Sequence, residues 1–377
     1  MSALTLAVRV GLGAVLALMS PLAVSAQSVA ASAASTGFTF KPGGYFKTDA
    51  IFDRDPIGSI EVWDPRQIPV DGSEGQSFKL TARDTRLWVD VRGPAAGREL
   101  RMYLETDFLD GTGYGLRVRH LYGTWGPLLA GQTWSTFMDE LILPRLINIE
   151  PPPSFPFQRI AMVRLTGAMG RGGTWSLAME DPVHKMDIPA TLAGHEEHPI
   201  PDLTGRVRWK GANWHAQVTA LGGMARFRPD SGSTQQQSLW GLAVAGKTIL
   251  GRSDAISAML TTGSGVARLH GGTVAAFDQD GTLGSVDAFG AMAAFDHDWS
   301  ERFTSTAVYG WAKVDLAGLR TGDPTHFGTY ASVNLLWWFA PQHAWFGGEY
   351  LFGSREVQSG ADGQANRLQL ALKFMLS

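Results

Sequence analysis

Residues 100–108, Leu100-Arg101-Met102-Tyr103-Leu104-Glu105-Thr106-Asp107-Phe108, decide the fold. Arg101, Tyr103, Glu105 and Asp107 share one parity, while Leu100, Met102, Leu104 and Phe108 share the other. Side chains of an extended strand point alternately to opposite faces, so this segment has one wet face and one apolar face. Neighbouring segments repeat the pattern. In 84–92, Asp84, Arg86, Asp90 and Arg92 oppose Thr85, Leu87, Val89 and Val91. In 46–53, Lys47, Asp49 and Asp53 oppose Phe46, Ala50 and Phe52, and near the end Arg367, Gln369 and Lys373 oppose Leu368, Leu370, Leu372 and Phe374.

A soluble sandwich also alternates, so the connections carry the next step. Short links fall at 93–98, 126–127, 167–172, 211–213, 251–253, 297–301 and 340–343. Longer polar ones fall between them, at about 54–80, 109–115, 139–158, 182–203, 224–238, 263–284, 316–326 and 353–364. Seven short links interleaved with eight long ones imply sixteen strands. The expected fold is all-β: a transmembrane antiparallel barrel with short periplasmic turns and long extracellular loops. An open edge in lipid would leave backbone polar groups unpaired, so the last strand must meet the first. The expected seam joins 45–53 to 367–375. Trp125, Trp209, Trp214, Trp299, Trp337, Trp338 and Trp345 lie near predicted strand ends, as an interfacial aromatic girdle requires.

Composition agrees with this reading. Charged residues make up 18% of the chain, below the roughly 25% usual for soluble proteins. There are 45 glycines and 13 tryptophans. A net charge of -3 gives no nucleic-acid footprint, and the absence of cysteine excludes a disulfide framework and thiol chemistry. Residues 1–26 read as a cleaved secretory signal, with Arg9, an apolar run from Val10 to Met19, and small residues Val24-Ser25-Ala26 before Gln27. Residues 27–40 read as a short mature N-terminus and 41–377 as one barrel domain. The address this implies is the outer membrane of a Gram-negative bacterium.

Several segments resemble the DcaP-like porins. They are Gly44-Tyr45-Phe46-Lys47-Thr48-Asp49-Ala50, the run Leu116 to Gly123, and Leu129-Ala130-Gly131-Gln132-Thr133-Trp134-Ser135-Thr136-Phe137-Met138-Asp139. Asn334-Leu335-Leu336-Trp337, the run Gly348 to Glu356 and Ala365-Asn366-Arg367-Leu368-Gln369 complete the set, so the resemblance spans nearly the whole mature chain. It implies a homotrimeric outer-membrane barrel, set among outer-membrane lipids, that takes up small anions, dicarboxylic acids among them. Two features depart from the family pattern. Residues 27–40 carry no heptads for a coiled coil, and the chain ends Phe374-Met375-Leu376-Ser377 rather than on an aromatic residue.

A pore discriminates by width and by the charges around it, and arginine keeps its charge while offering a carboxylate a fork of donors. Parity places Arg86, Arg117, Arg119, Arg164, Arg206 and Arg208 toward the lumen, together with Asp49, Asp84, Glu105, Asp107 and Glu180. The lining is therefore mixed in charge. Loop 139–158 is stiffened by Pro151, Pro152 and Pro153 and is expected to fold into the lumen as a constriction, the alternative being an outward surface loop. Arg145 is its constriction candidate, with Arg159 and Arg164 on the following strand.

No cofactor is implied. His195-Glu196-Glu197-His198 has metal-ligand residue types, but its histidines are three apart in a Pro-flanked loop rather than four apart on a helix. No Gly-x-Ser-x-Gly elbow appears. The function expected is passive diffusion of small hydrophilic solutes with a preference for anions. The alternatives are a soluble secreted β-rich carbohydrate binder and a barrel hydrolase.

Overall fold

A computed structural model describes residues 37–59, 61–183, 185–270, 272–315 and 323–376. Among these, sixteen strands form one closed antiparallel barrel. In chain order they are β1 Thr39–Asp53, β2 Arg86–Ala95, β3 Arg98–Asp110, β4 Gly115–Trp125, β5 Leu128–Trp134, β6 Arg159–Met169, β7 Gly173–Glu180 and β8 Asp202–Lys210. They continue as β9 Trp214–Pro229, β10 Gln235–Leu250, β11 Asp254–Gly263, β12 Asp287–Asp298, β13 Phe303–Asp315, β14 Thr325–Ala340, β15 Ala344–Val357 and β16 Asp362–Leu376.

Closure occurs where alternation predicts it: Tyr45 on β1 stands opposite Met375 on β16, and Asp53 opposite Arg367. On its other edge β1 is bonded near its start to β2 and near its end to a short strand, Ser77–Thr81. That short strand continues the line of β2 beyond the break at 82–85.

The period-two pattern sorts the faces. On β14, Val333, Leu335 and Trp337 are exposed on the outside while Ser332 and Asn334 are buried inside. The exterior is a belt of exposed leucine, valine and aromatic side chains, among them Leu177, Leu203, Val244 and Leu260. Lipid accepts such a surface, whereas a soluble carbohydrate binder would need a polar exterior. Trp125, Trp209, Trp214, Trp299 and Trp337 stand exposed beside the short turns, as a girdle should. The two others do not join it. Trp345 is buried and Trp338 half-buried, packed together inside with Ile147 and Leu336.

The seven short turns all form. At 96–97, Ala96 and Gly97 both take positive φ, 49° and 75°, the left-handed pair that suits a two-residue hairpin between right-twisted strands. At the opposite rim the expectation of eight long loops needs correction. Connections 111–114, 230–234 and 358–361 are tight turns, because the flanking strands run further than the polar composition suggested. Genuinely long connections are 54–85, 135–158, 181–201 and 264–286. Two of them share a small sheet in which Ala275–Phe277 pairs with Leu283–Ser285 and with Met186–Asp187. Phe277 meets Phe227 of β9 edge to face at 5.2 Å, tying that sheet to the wall. The proposed signal at 1–26 and residues 27–36 lie outside the described residues, and the barrel begins at Thr39 rather than at 41.

Candidate pore and its lining

The connection between β5 and β6, residues 135–158, runs inside the barrel. At its start Glu180 on β7 accepts from Ser135 Oγ at 2.8 Å and from the Thr136 N–H at 2.6 Å. Asp139 then caps a single turn of 3-10 helix, Glu140–Ile142, accepting from the Leu141 N–H. Arg208 on β8 donates to Asp139 at 3.0 Å and to Glu140 at 2.8 Å, and His215 Nε2 lies 2.9 Å from Asp139. Further on, the loop reaches the opposite wall. Arg145 pairs with Asp298 at 2.6 Å and Asp296 at 3.3 Å on β12, and its carbonyl accepts from Asn334 Nδ2 on β14. Glu349 on β15 accepts the N–H groups of Ile147 and Asn148, while Lys47 Nζ donates to the Ile147 carbonyl.

Small residues let the loop lie flat on the wall. A Cβ at Gly310 of β13 would come within 2.6 Å of Pro152, and one at Gly290 of β12 within 3.0 Å of Ser154. Phe137, Met138, Ile142 and Phe155 are buried against Ala243, Met259 and Met292 of the same wall. A second connection, between β1 and β2, also enters: Trp63 is fully buried, its backbone N–H donates to Asn148 Oδ1, and Arg367 lies over its ring at 5.1 Å. Sequence reading missed that contribution, because Trp63 and Ile68 sit in a stretch without periodicity.

The remaining inner wall, β2 to β8, carries the predicted arginines. Most are neutralised locally. Arg117 pairs with Asp107 at 2.6 Å, Arg119 with Glu105 and Asp107 at 2.8 Å each, and Arg86 with Asp84 at 3.2 Å and Glu105 at 3.8 Å. Arg206 stands 3.5 Å from Glu140. Parity therefore put these side chains on the correct face, but Asp49, Asp107, Arg119 and Arg208 are buried rather than open to the lumen. A buried charge is stable only when paired, and each of the four is. Arg145 belongs with the anchors on β12, away from the strand that carries Arg159 and Arg164. Neither Arg159 nor Arg164 makes an ion pair among the described residues. Arg159 lies over the Trp134 ring at 4.5 Å and the Phe157 ring at 5.7 Å, and its buried Nη1 has no hydrogen-bond partner.

Strict alternation fails between β3 and β4, where the register shifts after Glu105 and again between Asp107 and Asp110. Glu105 pairs with His120 and Thr106 with Val118, so a bulge at Arg119 inserts an extra residue. Arg119 and His120 are consequently both buried on the inner side, and Tyr122 follows them inward. His120 meets Trp134 at 5.2 Å and Tyr103 at 6.1 Å. The aromatic content of the lining was thus invisible to parity beyond the bulge.

Two acids of the loop have displaced proton affinities. Burial alone would raise Glu140, but the hydrogen bonds and charge of Arg208, with the charge of Arg206, hold it down at about 2. Glu150, half-buried beside Pro151, Pro152 and Phe155, is pushed up to about 7 by burial, against the partial relief of the Arg66 charge. The predicted motif at 195–198 is used structurally. Glu197 pairs with Arg228 at 2.6 Å and with Arg226 at 3.8 Å, and Glu196 accepts from the Met186 N–H.

Comparison with known proteins places this architecture. The family model described as DcaP outer membrane protein matches residues 6–376. No curated protein matches the chain. The outer membrane channel DcaP of Acinetobacter baumannii is similar in structure, with a TM-score of 0.80 and 19% identity over 90% of this chain and 98% of that one. The anion-selective porin from Comamonas acidovorans aligns with a TM-score of 0.63 and 9% identity, over 90% of this chain and 100% of that one. Salmonella typhi OmpF, solved with daunomycin, gives 0.57 and 8%, over 91% and 99%.

Proposed function

Since the chain belongs to the DcaP outer membrane protein family, an outer-membrane porin reading is the premise, and we propose that it conducts small hydrophilic anions, dicarboxylates among them, by passive diffusion. In this reading residues 1–26 direct export and are removed, the short turns face the periplasm of a Gram-negative cell, and three copies assemble among the outer-membrane lipids. Loop 135–158, which contains the predicted segment 139–158, narrows the path from the β9–β15 side. The solute then passes along β2–β8.

The observation that carries the anion preference is the state of Arg159 and Arg164. Paired arginines such as Arg119 cancel against their carboxylates, so they contribute little net field. Two guanidinium groups that make no ion pair among the described residues add positive charge to the wall, with Glu105 and Glu140 lining the same cavity as Arg164. Stacking on Trp134 holds the guanidinium of Arg159 at the wall, and a partly desolvated anion feels such a charge more strongly than it would in bulk water. The anion-selective porin among the structural neighbours supports the same direction. Liposome swelling with dicarboxylates, neutral sugars and amino acids of matched size tests the reading. Faster entry of the dicarboxylates supports it, and equal or slower entry counts against it.

A further inference from the structure

The inner surfaces of β3 to β6 carry a contiguous row of rings. Trp134 and Phe157 lie 4.5 Å apart, Trp134 and His120 5.2 Å, His120 and Tyr103 6.1 Å, and Tyr103 and Tyr122 5.5 Å. The row runs from Phe157, where the loop enters β6, toward Tyr122, close to the turn at Gly126. A guanidinium stands at each end. Arg159 covers Trp134 at one end, and Arg101, paired with Asp90 at 2.8 Å, lies 5.0 and 5.5 Å from the centres of Tyr103 and Tyr122 at the other. A cavity of about 390 Å³ lies elsewhere, near Arg66 and Arg355, but the one beside these rings, about 370 Å³, holds Arg164, together with Glu105 and Glu140, whose charges are paired with Arg119 and Arg208.

We propose that this row is a binding track for planar aromatic carboxylates of the benzoate class. Trp134 and Phe157 pack in part against the apolar cluster that anchors the loop, and Trp134, Tyr103 and Tyr122 also line the cavity. A planar aromatic acid uses both parts of the site. Its carboxylate takes the in-plane donors of Arg159 or Arg164, and its ring replaces water against Trp134, Phe157 or Tyr103 through offset or edge contacts. A saturated acid of the same charge and bulk can use only the arginines. The row spans several ring widths, so the solute passes from one contact to the next without leaving the wall.

The inference rests on the porin reading and is tested in planar bilayers with the purified full-length protein. The concentrations of benzoate and of cyclohexanecarboxylate that halve the potassium chloride conductance are compared. Benzoate should act at a concentration roughly two- to tenfold lower. The double variant Trp134→Leu, Phe157→Leu should lose that difference while still conducting. Tyr103→Leu is carried in parallel should the double variant not insert, and it should narrow the same gap. Equal potency of the two acids on an anion-preferring wild-type channel overturns the track and leaves the porin reading intact. A gap unchanged in the variants overturns it equally, and absence of channel activity in the wild type removes both.

Discussion

Asn148 and Glu349 are 201 positions apart in the chain, yet the Asn148 N–H donates to Glu349 Oε2 at 2.6 Å inside the barrel. The same oxygen accepts the Ile147 N–H at 2.9 Å, and Glu349 is fully buried. A carboxylate holding two backbone donors in a shielded place fixes both the position and the direction of the loop. Arg145 fixes the preceding residues through Asp296 and Asp298. The tip of the loop is therefore pinned to β12 and β15, as its start is to β7 and β8.

Glu349→Leu should release that tip. The two buried N–H groups would be left without an acceptor, at a cost of about 1–3 kcal/mol each. Single-channel recordings should then show noisier current and higher mean conductance than the wild type. A quiet channel of unaltered conductance would mean that the loop is held elsewhere.

The register of the seam can be checked chemically, because the chain has no cysteine. Phe46 and Phe374 face each other across it on the exposed outer side. Phe46→Cys with Phe374→Cys should oxidise to a cross-link seen on denaturing gels after cleavage of one loop. Phe46→Cys with Leu372→Cys, two residues out of register, should not, since the Cα atoms would lie near or beyond the limit of about 7 Å for a disulfide. Cross-linking of the second pair in preference to the first contradicts the closure.

The seam, the strand number and the inward arginines were legible because a two-residue period is a local signal that lipid on one side and water on the other make strict. Features that depend on partners remote in sequence were not. Asp107 and Arg119 could be assigned a face, but not their mutual ion pair, which turns pore-lining candidates into wall braces. The bulge at Arg119 breaks parity without any glycine or proline to announce it, so His120 and Tyr122 were lost. Arg145 looked like a free loop cation because Asp296 and Asp298 lie more than 150 positions away. Strand ends were misjudged at 224–238 and 353–364 because residues of the barrel above the membrane belt are as polar as loops.

Glu150 should make selectivity depend on pH near neutrality. With its proton affinity raised to about 7, it is neutral below that pH and negative above. Anion preference should therefore be stronger at about pH 6 than at about pH 8. For stability, the raised folded value means that burial costs nothing below the ordinary value of 4.5, and the cost grows as pH rises from there until it is complete at about 7. Glu150→Gln should flatten the selectivity profile. A profile that keeps its slope in this variant assigns the effect to another group.

Arg159 and Arg164, which make no ion pair among the described residues, should set the sign of selectivity. The zero-current potential across a planar bilayer in a tenfold potassium chloride gradient, about 60 mV at ideal selectivity, reads that sign. The wild type should give the sign for chloride preference, and Arg159→Gln with Arg164→Gln should move the potential toward zero or beyond it. A cation-preferring wild type, or a double variant with the wild-type potential, would contradict the account.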